Sequence, residues 1–157
     1  MGFLKGYSTF DFFKLVSKYS DGMIRMEGDL LKKYQKVVLS IAEDVIDVCE
    51  EEGVTYHLTG GSALGAVRHH GFIPWDDDID IDMLGSDFDR FVKAFQAKYP
   101  DKYTVQTCRT PGYGIMINKV RLRDSVMRGK EDLNSDDCGI FVDIIRIENT
   151  FNNPVLR

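Results

Sequence analysis

The sequence predicts a mixed α+β domain, α/β-like in its alternation, with a mixed β-sheet flanked by helices. Three observations support this: two stretches carry apolar residues at helical spacing, five short runs read as strands, and Gly or Pro stands at most of the joints. At 157 residues the chain suits one domain with a real core. Residues 1–28 are expected to form a weakly helical N-terminal extension, and residues 29–157 the functional core.

The first helix is marked by Leu30, Leu31, Tyr34, Val37, Val38, Ile41, Val45, Ile46 and Cys49, with Gly53 as its stop. Val54 to Leu58 reads as a short buried strand. Thr59-Gly60-Gly61-Ser62 follows as a turn, and a second helix is expected over Ala63 to His70. Gly71 to Pro74 reads as a loop, and Asp78 to Leu84 alternates acidic and apolar residues at period two. Ser86 with Asp89 has capping-box spacing, and Phe88, Phe91, Val92 and Phe95 give the next helix its inner face until Pro100 ends it. Tyr103 to Thr107, Ile115 to Leu122 and Gly139 to Ile147 complete the strands.

The formal charge of −5 is concentrated in one place, because residues 76–90 hold seven acids against one base. The rest of the chain is nearly neutral, which points to an acidic site and, with no basic stripe, away from a nucleic-acid binder. Cys49, Cys108 and Cys138 are odd in number and widely spaced, as expected of reduced, small apolar fillers. The N-terminus lacks the apolar run of a signal peptide and the Ser or Thr that myristoylation requires where Gly6 stands. No run reaches membrane-spanning length. The expected location is cytoplasmic, peripheral to the inner membrane face where a partner recruits the chain.

Trp75-Asp76-Asp77-Asp78-Ile79-Asp80-Ile81-Asp82-Met83 is the most informative stretch. On a strand, Asp78, Asp80 and Asp82 share one face while Ile79, Ile81 and Met83 turn into the core. Carboxylates so crowded repel one another, and a hard divalent cation, Mg²⁺ or Mn²⁺, relieves that repulsion; the competing reading is a solvated acidic face. Asp87 and Asp89 are accounted for as acids at a helix N-terminus. An EF-hand loop is excluded, since the glycine needed at its sixth position is Met83 here.

Gly60, Gly61 and Ser62 lie between a strand and a helix, where backbone can approach a phosphate closely. Asp143 is a lone acid in the apolar run Gly139 to Ile145, and such an acid is costly unless paired or bound to metal. It is read as a third carboxylate, either a ligand or the base for an attacking hydroxyl, the alternative being an acid that faces solvent on an edge strand. Arg68 and Lys119 are candidates for phosphate oxygens. His57 reads as structural, and His69 or His70 as a donor at the edge of the cleft.

The block from Gly60 to Ile81, Gly-Gly-Ser-Ala-Leu-Gly-Ala-Val-Arg-His-His-Gly-Phe-Ile-Pro-Trp-Asp-Asp-Asp-Ile-Asp-Ile, resembles the LicD family, whose relatives include the fukutin-type transferases. Flanking likeness runs from about Leu30 to Asp143. The resemblance implies a nucleotidyltransferase fold, with Gly61 and Ser62 in its turn, Asp78 and Asp80 as its two acids and Asp143 as its third. It further implies Mg²⁺ (or Mn²⁺) held by Asp78, Asp80 and Asp143, and transfer of a phospho-substituent from a nucleotide-activated donor. That transfer is typically of phosphocholine from CDP-choline to a hydroxyl of a cell-surface glycan, lipid-linked in some cases. Three departures stand out. Ile144-Ile145-Arg146-Ile147-Glu148-Asn149 replaces a Phe-Pro-Leu-Asp-Gly-like run, Asp82 replaces a neutral residue, and a C-terminal helical portion is expected to be missing. Two other readings compete: a DxD-type metal-dependent glycosyltransferase, and a non-catalytic nucleotide-binding domain.

Overall fold

The structure is a computed structural model that describes residues 26–111, 113, 116–128 and 137–149. The expected helical extension therefore lies almost wholly outside the described residues, as does the start of the strand expected from Ile115. Helix α1 spans Gly28–Glu52 and buries Leu31, Tyr34, Val38, Ile41, Val45, Val48 and Cys49 along one stripe. It stops at Gly53, whose φ of 62° is the left-handed conformation that glycine enters without a Cβ penalty. The amide of Val54 then closes the end on the Cys49 carbonyl at 2.8 Å.

Strand β1 is Tyr56–Leu58, shorter than the expected Val54 to Leu58, and helix α2 is Gly60–His69. The helix opens three residues earlier than its apolar pattern suggested, so the glycines form its first turn. Strand β2 is Asp80–Leu84, helix α3 Gly85–Lys98, and strands β3, β4 and β5 are Tyr103–Gln106, Asn118–Leu122 and Phe141–Ile147. The capping box at Ser86 does not form. β2 runs into α3 with no linker, Leu84 takes the N-cap position, and no side chain caps the helix.

The five strands are ordered β1-β2-β5-β4-β3, with β2 and β5 parallel and the other neighbours antiparallel. Ile81, Met83, Val120, Val142 and Ile144 point to one face and join Val38, Ile41, Val45, Phe88, Phe91 and Phe95 from α1 and α3 in a single core. The other face carries polar side chains, developed below. Cys49 and Cys138 are buried as expected, but Cys108 is exposed and fills nothing.

Asp44 on α1 ties that helix to β3. It receives a 2.6 Å bond from the Lys102 ammonium, a 3.3 Å bond from the Tyr99 hydroxyl, and another from the Tyr103 hydroxyl. Partial burial pushes its pKa up, but the bonds from Lys102 and Tyr103 outweigh this and hold the carboxyl below its ordinary value. A depressed pKa contributes stability at neutral pH that is lost as pH falls through the folded-state value. Asp44→Asn should therefore lower Tm at pH 7 by a few degrees. Thermal melts across pH should show the gap between variant and parent closing below about pH 3.9, the ordinary carboxylate value.

Candidate active site

Three strands carry the site. Asp80 on β2 stands opposite Asp143 on β5, and Lys119 on β4 stands opposite Asp143 from the other side. Register partners share a face, so these residues form a row across the sheet on the face turned away from α1 and α3. Asp78 lies in the chain leading into β2, not in the strand as expected. Its carboxylate still reaches the row: Asp78, Asp80 and Asp143 can each present an oxygen within 4.8 Å of the others.

Their surroundings make this crowding costly. Burial pushes the Asp78 carboxyl up to about 7, with help from the charges of Asp80, Asp76, Asp77 and Asp143. Burial also raises Asp80, as do Asp143 and Asp76, while Lys119 opposes them. Asp143 is 7% exposed, and its Oδ1 accepts a 2.8 Å bond from Lys119 Nζ.

The glycine turn lies against this cluster. A Cβ on Gly60 would meet Asp80 Oδ2 at 3.0 Å, and one on Gly61 would meet Asp76 Oδ2 at 2.7 Å. Backbone passes this close to two carboxylates only because neither residue has a side chain. Gly60 also has φ 54°. Ser62 Oγ accepts a 2.8 Å bond from the Asp80 amide, and the Thr59 amide donates to the Asp80 carbonyl at 3.1 Å. No side chain caps the first turn of α2.

Of the other residues singled out from sequence, Asp82 and Arg68 lie outside the row, while Lys119 is part of it. Asp82 faces His57 across β1 and β2, with Oδ1 3.2 Å from the ring Nδ1, so the extra carboxylate belongs to an edge pair. Arg68 is exposed in the last turn of α2, where its Nε donates to His69. Lys119 is 3% exposed, and its ammonium sits 3.4 Å from the centre of the Phe141 ring. Two features escaped sequence reasoning. Asp76 precedes the stretch where acidic and apolar residues alternate, yet its carboxylate borders Gly61, and Gln35 on α1 holds its carbonyl at 2.8 Å. A cavity of about 300 Å³ also opens beside the acids, walled by Leu39, Ile46, Leu58, Phe72 and Ile73 and bordered by Ser62, His70, Asp76 and Asp78. Nothing in the local pattern announces a space shared by α1, α2 and the loop that leads from α2 into β2.

The donor set is suited to a hard divalent cation. All three groups offer carboxylate oxygen, no thiol or imidazole belongs to the cluster, and a cation would offset the repulsion that adds to burial in raising Asp78 and Asp80. Residues 53–149 match the family described as LicD/FKTN/FKRP, nucleotidyltransferase domain. The chain belongs to this family.

Among curated relatives, the lipopolysaccharide cholinephosphotransferase LicD of Haemophilus influenzae is 40% identical over 77 residues, which is 49% of this chain and 29% of that protein. The ribitol 5-phosphate transferase FKRP of mouse and of human is 50% identical over 46 residues, covering 29% of this chain and 9% of theirs. The chain thus spans less than a third of the length of these relatives. The solved structure of the Cid1 poly(U) polymerase overlays 96% of this chain and 39% of its own at 12% identity, with a TM-score of 0.39, too distant a likeness to build on.

Within this LicD-family domain, two glycines separate backbone strain from crowding. Gly53 and Gly60 both have positive φ, but a Cβ on Gly53 would meet nothing within 4 Å. Gly53→Ala and Gly60→Ala should each cost about 1–2 kcal/mol in chemical denaturation. Only Gly60→Ala, which presses on Asp80, should also weaken divalent-cation binding measured by calorimetry.

Proposed function

We propose that the chain is the catalytic nucleotidyltransferase-type module of an enzyme that transfers a phospho-substituent from a nucleotide-activated donor to a glycan hydroxyl. The observation that carries this reading is the row of Asp80, Asp143 and Lys119 across three strands, with Asp78 and the glycine turn closing on it. The activities of the relatives support it, since one is a cholinephosphotransferase and the other a ribitol 5-phosphate transferase. The more specific reading is phosphocholine from CDP-choline, with Mg²⁺ or Mn²⁺ required.

In this mechanism Asp78, Asp80 and Asp143 hold the divalent cation, which supplies charge neutralisation at the phosphate oxygens when bound. The first-turn amides of α2 and the Ser62 hydroxyl border the same space and are suited to orient a phosphate. The buried strands beneath keep the carboxylates fixed, so their arrangement need not reorganise as negative charge shifts during in-line displacement. Of the two roles read for Asp143, ligand or base, its ion pair favours the ligand. A carboxylate bonded to a buried ammonium is a weakened proton acceptor.

Calorimetry with CDP-choline tests this directly. Binding should require Mg²⁺, vanish on chelation, and weaken by about 100-fold or more in Asp78→Ala/Asp80→Ala, equivalent to about 2.7 kcal/mol. Metal-independent binding, or binding untouched by the double substitution, would remove the carboxylates from the proposed role. CDP-ribitol titrated in parallel separates the two head groups. Tighter binding of the ribitol donor would keep the transferase reading and discard phosphocholine.

A further inference from the structure

Asp78 is the one member of the carboxylate trio that the sheet does not hold. Asp80 and Asp143 are register partners on β2 and β5, whereas Asp78 lies two residues before β2 begins. The last bond of this strand pair on the upstream side is at Ile79, whose carbonyl accepts from the Asp143 amide at 3.0 Å. The next tether is on Asp76. Its carbonyl accepts a 2.8 Å bond from Nε2 of Gln35, a half-buried amide on α1, 41 positions earlier in the chain. Asp77 and Asp78 are therefore slung between two fixed carbonyls, one held by the sheet and one by a helix.

Two features make that second hold matter. Asp78 brings its carboxylate within 4.8 Å of those of Asp80 and Asp143, and repulsion pushes hardest on the member that lies outside the ladder. The segment also has room to give way. The cavity of about 300 Å³ is bordered by Asp76, Asp78 and Ile79 on one side and by Leu39, Ala42 and Ile46 of α1 on the other. Gln35 stands one helical turn before Leu39, so its side chain bridges α1 and the acidic segment at the edge of this space.

We infer that Gln35 is a positioning residue of the site: its bond to the Asp76 carbonyl keeps Asp78 converged on Asp80 and Asp143. The inference rests on the metal-binding reading above and adds a residue that acts on it from outside the cluster. Gln35 works through Asp78 and touches no reacting atom. It raises the fraction of molecules in which all three carboxylates are in place, and the apparent affinity for a cation scales with that fraction.

Trp75 makes the segment observable. It is the single tryptophan of the chain and is 74% exposed, and it shares with Pro74 the corner of a turn closed by the 2.9 Å bond from the Asp76 amide to the Ile73 carbonyl. Gln35→Met keeps the length of the side chain and removes the donor. It should lower the fluorescence anisotropy of Trp75 and weaken Mn²⁺ binding, followed by electron paramagnetic resonance, by about 3- to 10-fold, the range for loss of one hydrogen bond. In an Asp78→Ala background, where Asp80 and Asp143 leave a weaker site, the same change should alter affinity by less than about 2-fold, because the carboxylate it positions is gone. Unchanged affinity in a folded Gln35→Met would overturn the inference. So would an equal loss in both backgrounds, which is the mark of a purely structural role. If circular dichroism shows that Gln35→Met does not fold, Gln35→Glu, which keeps the shape and accepts where Gln35 donates, decides by the same cycle. No Mn²⁺ binding by the native chain would overturn the metal-binding reading itself, an outcome distinct from binding that ignores Gln35.

Discussion

Like charges on neighbouring strands are the constraint around which this domain is built. Parallel pairing of β2 with β5 sets Asp80 directly across from Asp143, and the chain entering β2 adds Asp78 to the same few ångströms. Left alone, such a cluster would push the strands apart or take up protons. Several features of the fold act against that repulsion. Lys119 supplies a positive charge from β4, the first turn of α2 presents the positive end of a helix, and the apolar undersides of the same strands bind the sheet to α1 and α3. Ile79, Ile81 and Ile144 are the immediate chain neighbours of the acids. The residues that anchor the sheet and the residues that strain it therefore alternate along the same two segments.

The face opposite the helices shows how the sheet accommodates buried charge. Phe141 lies between two cations, Lys119 at 3.4 Å and Arg121 at 4.8 Å from its ring centre. Arg121 is fully buried and donates to Gln106 Oε1 at 2.6 Å and to the Gly139 carbonyl at 2.9 Å. Gln106 in turn donates to the Asp137 carbonyl, and Thr104 bonds the Asp137 carboxylate. Charges desolvated this far are tolerable only with their partners in place, so the network holds β3, β4 and β5 in one arrangement. In the proposed transfer that rigidity would be an advantage, because the field at the site is set before any donor arrives.

Local pattern was enough to read the helices and the alternating acidic strand, because each is written in residues a few positions apart, whereas Asp143 showed only as a lone acid in a distant apolar run. The stripe of α1 and its stop at Gly53 follow from spacing and one glycine. Partners distant in sequence were not legible. Only the pairing of β4 with β5 aligns Lys119 with Asp143, and only β1 brings His57 beside Asp82, whose purpose the sequence left open. The capping box at Ser86 satisfied its pattern and still failed, since a strand that continues directly into a helix leaves no separate N-cap turn for the serine to occupy. Asp76 was passed over because period two selects from within a strand, and its role arises from contact with a glycine fifteen positions earlier.

Main-chain bonds, more than side chains, set the position of the carboxylates. The Asp80 amide is held by Ser62 and its carbonyl by the Thr59 amide, which binds the acid to both ends of the glycine turn. The Asp143 amide donates to the Ile79 carbonyl at 3.0 Å, joining β5 to the residue between Asp78 and Asp80. The Asp76 amide and carbonyl are taken by Ile73 and Gln35. None of these bonds uses a carboxylate oxygen. Replacing Asp78 or Asp80 by a neutral residue therefore leaves the scaffold bonded as before and removes a source of repulsion from it. Loss of metal or donor binding in such variants, with stability unchanged or raised, reports on charge at the site and not on collapse of the sheet.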